Sequence, residues 1–93
     1  MGSIVETTEI TNMMGIHLRP ASNIVQIANQ YPDCEVELTK DGQTVNGKSI
    51  MSVIMLAAEQ GSTIKIEVHG DESKGRQLMD DLLELIANKF GEE

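Results

Sequence analysis

Apolar residues recur along this chain at two periods, and the switches between them mark out its elements. From Ile4 to Thr11 the sequence is rich in Ile, Val and Thr with broken alternation, which predicts a first strand. Ala21, Ile24, Val25, Ala28 and Tyr31 then fall three and four residues apart, the stripe of an amphipathic helix over Pro20 to Gln30. Glu35 to Thr39 returns to period two, with Val36 and Leu38 on one face and Glu35, Glu37 and Thr39 on the other. Asp41-Gly42 predicts a hairpin turn into a strand over Gln43 to Asn46. Ser49 is suited to cap a short apolar helix running to Leu56. Ser62 to His69 alternates cleanly, with Ile64, Ile66 and Val68 inward and Thr63, Lys65 and Glu67 outward. The closing helix extends from Glu72 to Lys89, and its core face is Leu78, Met79, Leu82, Leu85 and Ile86.

The resulting order, β-α-β-β-α-β-α, belongs to the α+β class. A few antiparallel strands with their helices on one face is an economical way for a short chain to bury one layer against another. Periodicity does not give the strand order. Ninety-three residues make one domain, spanning 1–93, near the small end for a self-sufficient core. Tyr31 and Phe90 are the only aromatics, so the core falls to Ile, Val, Leu, Ala and Met. No apolar run approaches the roughly 20 residues that span a bilayer, which excludes membrane insertion by a helix. Met1-Gly2-Ser3 leads directly into charged, strand-like sequence rather than a signal peptide, and Glu6 stands where a myristoylation signal needs Ser or Thr. The single cysteine, Cys34, excludes an internal disulfide and fits a reducing cytoplasm. The expectation is a cytoplasmic monomer.

The stretch richest in chemistry is Gly15-Ile16-His17-Leu18-Arg19-Pro20-Ala21-Ser22. Pro20 fits a first helical turn, where backbone N–H groups have no intrahelical acceptor. His17 therefore sits where free N–H groups and the positive end of the helix dipole converge, with a guanidinium two residues on. Such a place receives an anion, phosphate above all. The cationic surroundings bias the imidazole toward its neutral, nucleophilic form and would bind the charge of an attached phosphoryl group.

A net charge of −8 argues against nucleic-acid binding, which needs clustered Lys and Arg. Its distribution says more. No carboxylate occurs from Ile10 to Pro32 or from Gly42 to Ala58, the windows that hold His17 and Ser49. The acids gather at Asp33, Glu35, Glu37 and Asp41, and along the final helix at Asp80, Asp81, Glu84, Glu92 and Glu93. An acid-free patch bearing Arg19 and Lys48 suits an acidic protein partner.

The His17 motif, a second block Asn46-Gly47-Lys48-Ser49-Ile50-Met51, and the order of elements together resemble the HPr family, the histidine-containing phosphocarriers of the bacterial phosphotransferase system. The resemblance extends from Ile4 to Phe90. It implies a four-stranded antiparallel sheet covered by three helices on one side, an open-faced β-sandwich. It also implies a phosphoryl carrier rather than an enzyme: His17 takes a phosphoryl group from enzyme I on Nδ1 and passes it to sugar-specific enzyme IIA domains, with Arg19 beside it and no cofactor. Sequence alone does not choose between the ring nitrogens. Ser49 matches a regulatory phosphorylation site used where an HPr kinase/phosphorylase exists, and Gly47 before it is expected to leave the backbone accessible. Ile16, Lys48, Ile50, Met51 and Ile54 are expected to form the docking rim, with packing into the core the competing role for Ile54. Leu18 departs from the small or polar residue usual beside the nucleophile, as the Met13-Met14 pair departs from the polar residues usual ahead of Gly15. The alternative reading is the nitrogen-related paralogue, or a regulatory interaction domain acting on kinases or transcription factors.

Other candidates carry less. His69 ends a strand before Gly70-Asp71 and reads as a solvated turn residue. Cys34, His17 and His69 have no metal-ligand spacing, so no metal site is assigned. Cys34 lies between Asp33 and Glu35, a poor setting for a reactive thiolate. No strained nucleophile elbow is present for a hydrolase.

Overall fold

In the computed structural model, which describes residues 2–92, the elements follow the expected order. They are β1 (Gly2–Glu9), α1 (Leu18–Ala28), β2 (Glu35–Lys40), β3 (Gln43–Asn46), α2 (Ile50–Met55), β4 (Thr63–Gly70) and α3 (Glu72–Ala87), closed by a short 3-10 turn at Lys89–Gly91. The strands form one antiparallel sheet in the order β1-β4-β2-β3. Val36 and Leu38 of β2 and Ile64, Ile66 and Val68 of β4 are buried on its inner face. Ala21, Ile24 and Ala28 of α1, Val53 of α2, and Leu78, Met79, Leu82 and Ile86 of α3 meet them in a single core, while Leu85 is half-buried.

The boundaries shift where local geometry overrides periodicity. β1 begins and ends two residues earlier than expected, because its pairing with β4 runs from Gly2↔Gly70 to Glu9↔Thr63, the residue at which β4 begins. Ile10 still receives the Gly61 N–H and is fully buried. α1 starts at Leu18, so Pro20 sits third in the helix, still within the turn whose N–H groups need no helical acceptor. Its C-terminal end tightens: Gln30 and Tyr31 donate to the carbonyls of Ile27 and Ala28, three residues back. Asp41 and Gly42 both have positive φ (50° and 83°), the combination a two-residue hairpin with matching twist requires. His69 is not a turn residue: it lies within β4, paired with Ser3 and Glu35. Cys34 is buried.

The largest departure is at the end of α3. The helix stops at Ala87, and Lys89, Phe90 and Gly91 then take φ of 55°, 56° and 75°. A left-handed conformation costs a non-glycine residue about 1–2 kcal/mol, so Lys89 and Phe90 together cost about 2–4 kcal/mol. Burial of Phe90, 4 % exposed, contributes about 1.5–3 kcal/mol in the other direction. The bend thus turns the chain back across the molecule instead of extending the helix. No described helix is long and apolar enough to cross a membrane.

Candidate functional site

The loop before α1 is held by three contacts. Gly15 has φ +67°, and a Cβ there would come within 2.3 Å of the Ala58 carbonyl oxygen, so only glycine fits. Ile16 donates its N–H to that same carbonyl at 2.8 Å. Asn12, fully buried, donates Nδ2 to the Gly15 carbonyl at 2.8 Å. This frame sets His17 at the N-cap position, where its carbonyl accepts the first helical bond, from Ala21. The imidazole makes no capping bond and is about one-third exposed (34 %).

It points instead at the other end of the chain. His17 Nε2 lies 2.6 Å from Oε2 of Glu92, whose second oxygen accepts from Asn12 Nδ2 at 3.0 Å. The expectation of an acid-free surface around His17 is therefore overturned. Glu92 is not on the final helix: the bend at Lys89–Gly91 delivers it to the histidine. Glu93 lies outside the described residues. Partial burial pushes the Glu92 carboxyl up, but hydrogen bonds from Asn12 and His17, with the charges of His17 and Arg19, outweigh this and hold it below the ordinary carboxylate range. An ionised carboxylate at 2.6 Å needs a donor, so the ring proton belongs on Nε2. In the neutral ring the lone pair is then on Nδ1.

The sign of that shift gives a pH expectation. A carboxylate with a lowered native pKa contributes stability that is present above its unfolded value, near 4.3, and is lost as pH falls through the native one. The His17–Glu92 contact should thus persist through the ordinary carboxylate range and open only in stronger acid. The Glu92 side-chain carboxyl 13C shift, followed by NMR, should titrate with a midpoint below about 4.3. A midpoint at or above that value would contradict the His17–Glu92 contact.

Arg19 is exposed in the first turn of α1 and makes no ion pair with another described residue. Ser49 caps α2, its Oγ accepting from Ser52 N at 3.4 Å. Gly47 is buried rather than leaving the backbone accessible: a Cβ there would meet Val36 Cγ1 at 2.6 Å. Lys48 is not a free cation, since its Nζ donates to the Tyr31 carbonyl at 2.8 Å. That bond and the Ile16–Ala58 bond show that α2 runs antiparallel to α1. Ser49 starts beside the far end of α1, a helix about 16 Å long at 1.5 Å per residue.

The expected docking rim needs correction. Ile16 is 6 % exposed and belongs to the core, because its backbone bond to Ala58 turns the side chain inward. Ile50 and Ile54 are half-buried and pack on the core. Met51 is exposed, as expected, and so are Met13, Met14, Leu18 and Met55, which the expected rim did not include. Helical spacing carries the signal for Met55, four residues after Met51 on the same face.

Comparison with known proteins agrees with this geometry. Residues 4–88 match the family described as "PTS HPr component phosphorylation site". The phosphocarrier protein HPr of Cupriavidus necator is 42% identical over 85 residues, covering 91% of this chain and 92% of its own. HPr-C-His from Thermoanaerobacter tengcongensis superposes with a TM-score of 0.87 at 38% identity, covering 100% of this chain and 99% of its own. An HPr dimer from the same organism superposes with a TM-score of 0.74, also at 38% identity, over 91% of this chain and 94% of its own. The chain belongs to the HPr family, whose members are phosphocarrier proteins and not enzymes.

Proposed function

We propose that this chain is the phosphoryl carrier between enzyme I and sugar-specific enzyme IIA domains, acting in the cytoplasm as a monomer formed by one domain over 1–93. The observation that carries the reading is His17 at the start of α1 with Nε2 held by Glu92. Nδ1 attacks the phosphorus held on enzyme I, the enzyme I histidine leaves with the bond electrons, and Nε2 keeps its proton toward Glu92. The Arg19 guanidinium and the first-turn N–H groups receive the phosphoryl oxygens. Glu92 acts as a positioning residue, as a carboxylate orients a histidine in other nucleophilic sites.

Ser49 is the regulatory position, phosphorylated by HPr kinase/phosphorylase in organisms that have it. At the far end of α1 its charge is screened from His17, since the Debye length at physiological salt is about 8 Å. Phosphoserine acts through docking: it places about two negative charges at the start of the helix that bears Met51 and Met55. Lys48 and the half-buried Ile50 and Ile54 support that face from beneath, and Ile16 does so from the core.

One assay tests these assignments. With phosphoenolpyruvate, magnesium and a cognate enzyme I, the protein should gain a single acid-labile, base-stable phosphate. Its 15N spectrum should place that phosphate on Nδ1, and a sugar-specific IIA domain should remove it. Phosphoserine at position 49 should slow loading, more so at low ionic strength. Phosphate found on serine or threonine alone would reject the carrier. A loaded chain that no IIA domain accepts would favour the nitrogen-related paralogue or a regulatory interaction domain.

A further inference from the structure

The outer face of the sheet carries a second constellation, on the side away from the helices. β4 alternates, so Glu67 and His69 project to the same face, and the antiparallel register sets Glu37 of β2 directly opposite Glu67. Like charges opposed across a strand pair destabilise it. His69 lies by both: its Nε2 is 3.4 Å from Glu37 Oε1 and 3.4 Å from Glu67 Oε2.

Those distances fit a bridging cation better than a proton. Charge-assisted N–H···O bonds run at about 2.7–2.9 Å. Donors on a tetrahedron with bonds of about 2.0–2.1 Å stand about 3.3–3.4 Å apart, the edge being roughly 1.6 bond lengths. One ligand atom from each of the three side chains can be chosen so that all lie within 4.8 Å of one another. The three side chains are 28–48 % exposed, which leaves the fourth position open to water. Two carboxylate oxygens without a nitrogen would suit magnesium or calcium; the imidazole shifts the preference to zinc and its neighbours. Glu35, opposite His69 on the same face, adds negative potential, and Asn46 stands opposite Glu37. Lys65 is the cation in the next row of β4.

We propose that Glu37, Glu67 and His69 form a surface site for a zinc-type divalent cation that clamps β2 to β4. The site does not depend on the phosphocarrier reading. The other histidine, His17, also faces a carboxylate, so the test must separate the two.

The intact protein is titrated with zinc chloride in chelator-stripped buffer by calorimetry, with ring resonances of both histidines followed by NMR. The expected result is one equivalent bound, a shift of the His69 ring alone, and a higher unfolding temperature. His69→Ala and Glu67→Gln should each weaken binding by about tenfold or more. His17→Ala should leave it unchanged. Both strand substitutions are at partly exposed positions, so their circular dichroism spectra should match the wild type. Saturable binding that survives His69→Ala, binding that shifts His17 instead, or no saturable binding up to millimolar zinc would each overturn the site.

Discussion

His17→Ala should abolish phosphorylation by enzyme I outright while leaving the fold intact. The side chain is only partly buried and contributes no capping bond, so its loss opens no core cavity and frees no helical N–H. What disappears is the imidazole at the start of α1, beside Arg19 and the free first-turn N–H groups. His69 cannot substitute, because it lies on the outer face of the sheet between carboxylates that repel a phosphoryl group. Acid-labile label should fall to background in the variant, with an unchanged circular dichroism spectrum. Label that persists at wild-type level would place the nucleophile elsewhere.

Arg19→Ala carries the second large effect. The guanidinium is exposed and unpaired among the described residues, so it is ready to meet charge that develops on a transferring phosphoryl group. Removing one preorganised contact of this kind costs about 2–4 kcal/mol, or roughly 30- to 1000-fold in rate. Stability should barely change, since no described residue loses a hydrogen bond to Arg19. Lysine should restore only part of the rate, as it lacks the planar fork. Single-turnover transfer from phosphorylated enzyme I measures the effect directly, and a wild-type rate in Arg19→Ala would reduce the residue to a solvated surface charge.

Much of this architecture is legible in local pattern. The inward faces of β2 and β4 follow strict alternation, the Asp41-Gly42 turn follows from the positive φ that twist demands, and Ser49 caps α2 as its residue type suggests. The histidine and its helix start are legible too, because the signal is contained in a few neighbouring residues. Glu92 is not. It reaches His17 from 75 residues away through two left-handed residues, Lys89 and Phe90, that no propensity rule favours there. The available hint is the chain's single phenylalanine just past a helix end, next to Gly91, an apolar anchor at a stop signal. Ile16 misleads for a related reason: a loop has no period, so an apolar residue beside the nucleophile looks like surface. The pairing of Glu37 with Glu67 depends on strand order, which periodicity does not supply.

The bend at Lys89–Gly91 also ties the nucleophile to the packing of one ring. Phe90 is buried in the core while Glu92, two residues on, touches His17, so whatever loosens the ring from the core releases the carboxylate as well. The imidazole then loses the acceptor that fixes its proton on Nε2, and either nitrogen can carry it. A substitution that shrinks the ring at position 90 would in this way disturb the tautomer of a histidine it never contacts.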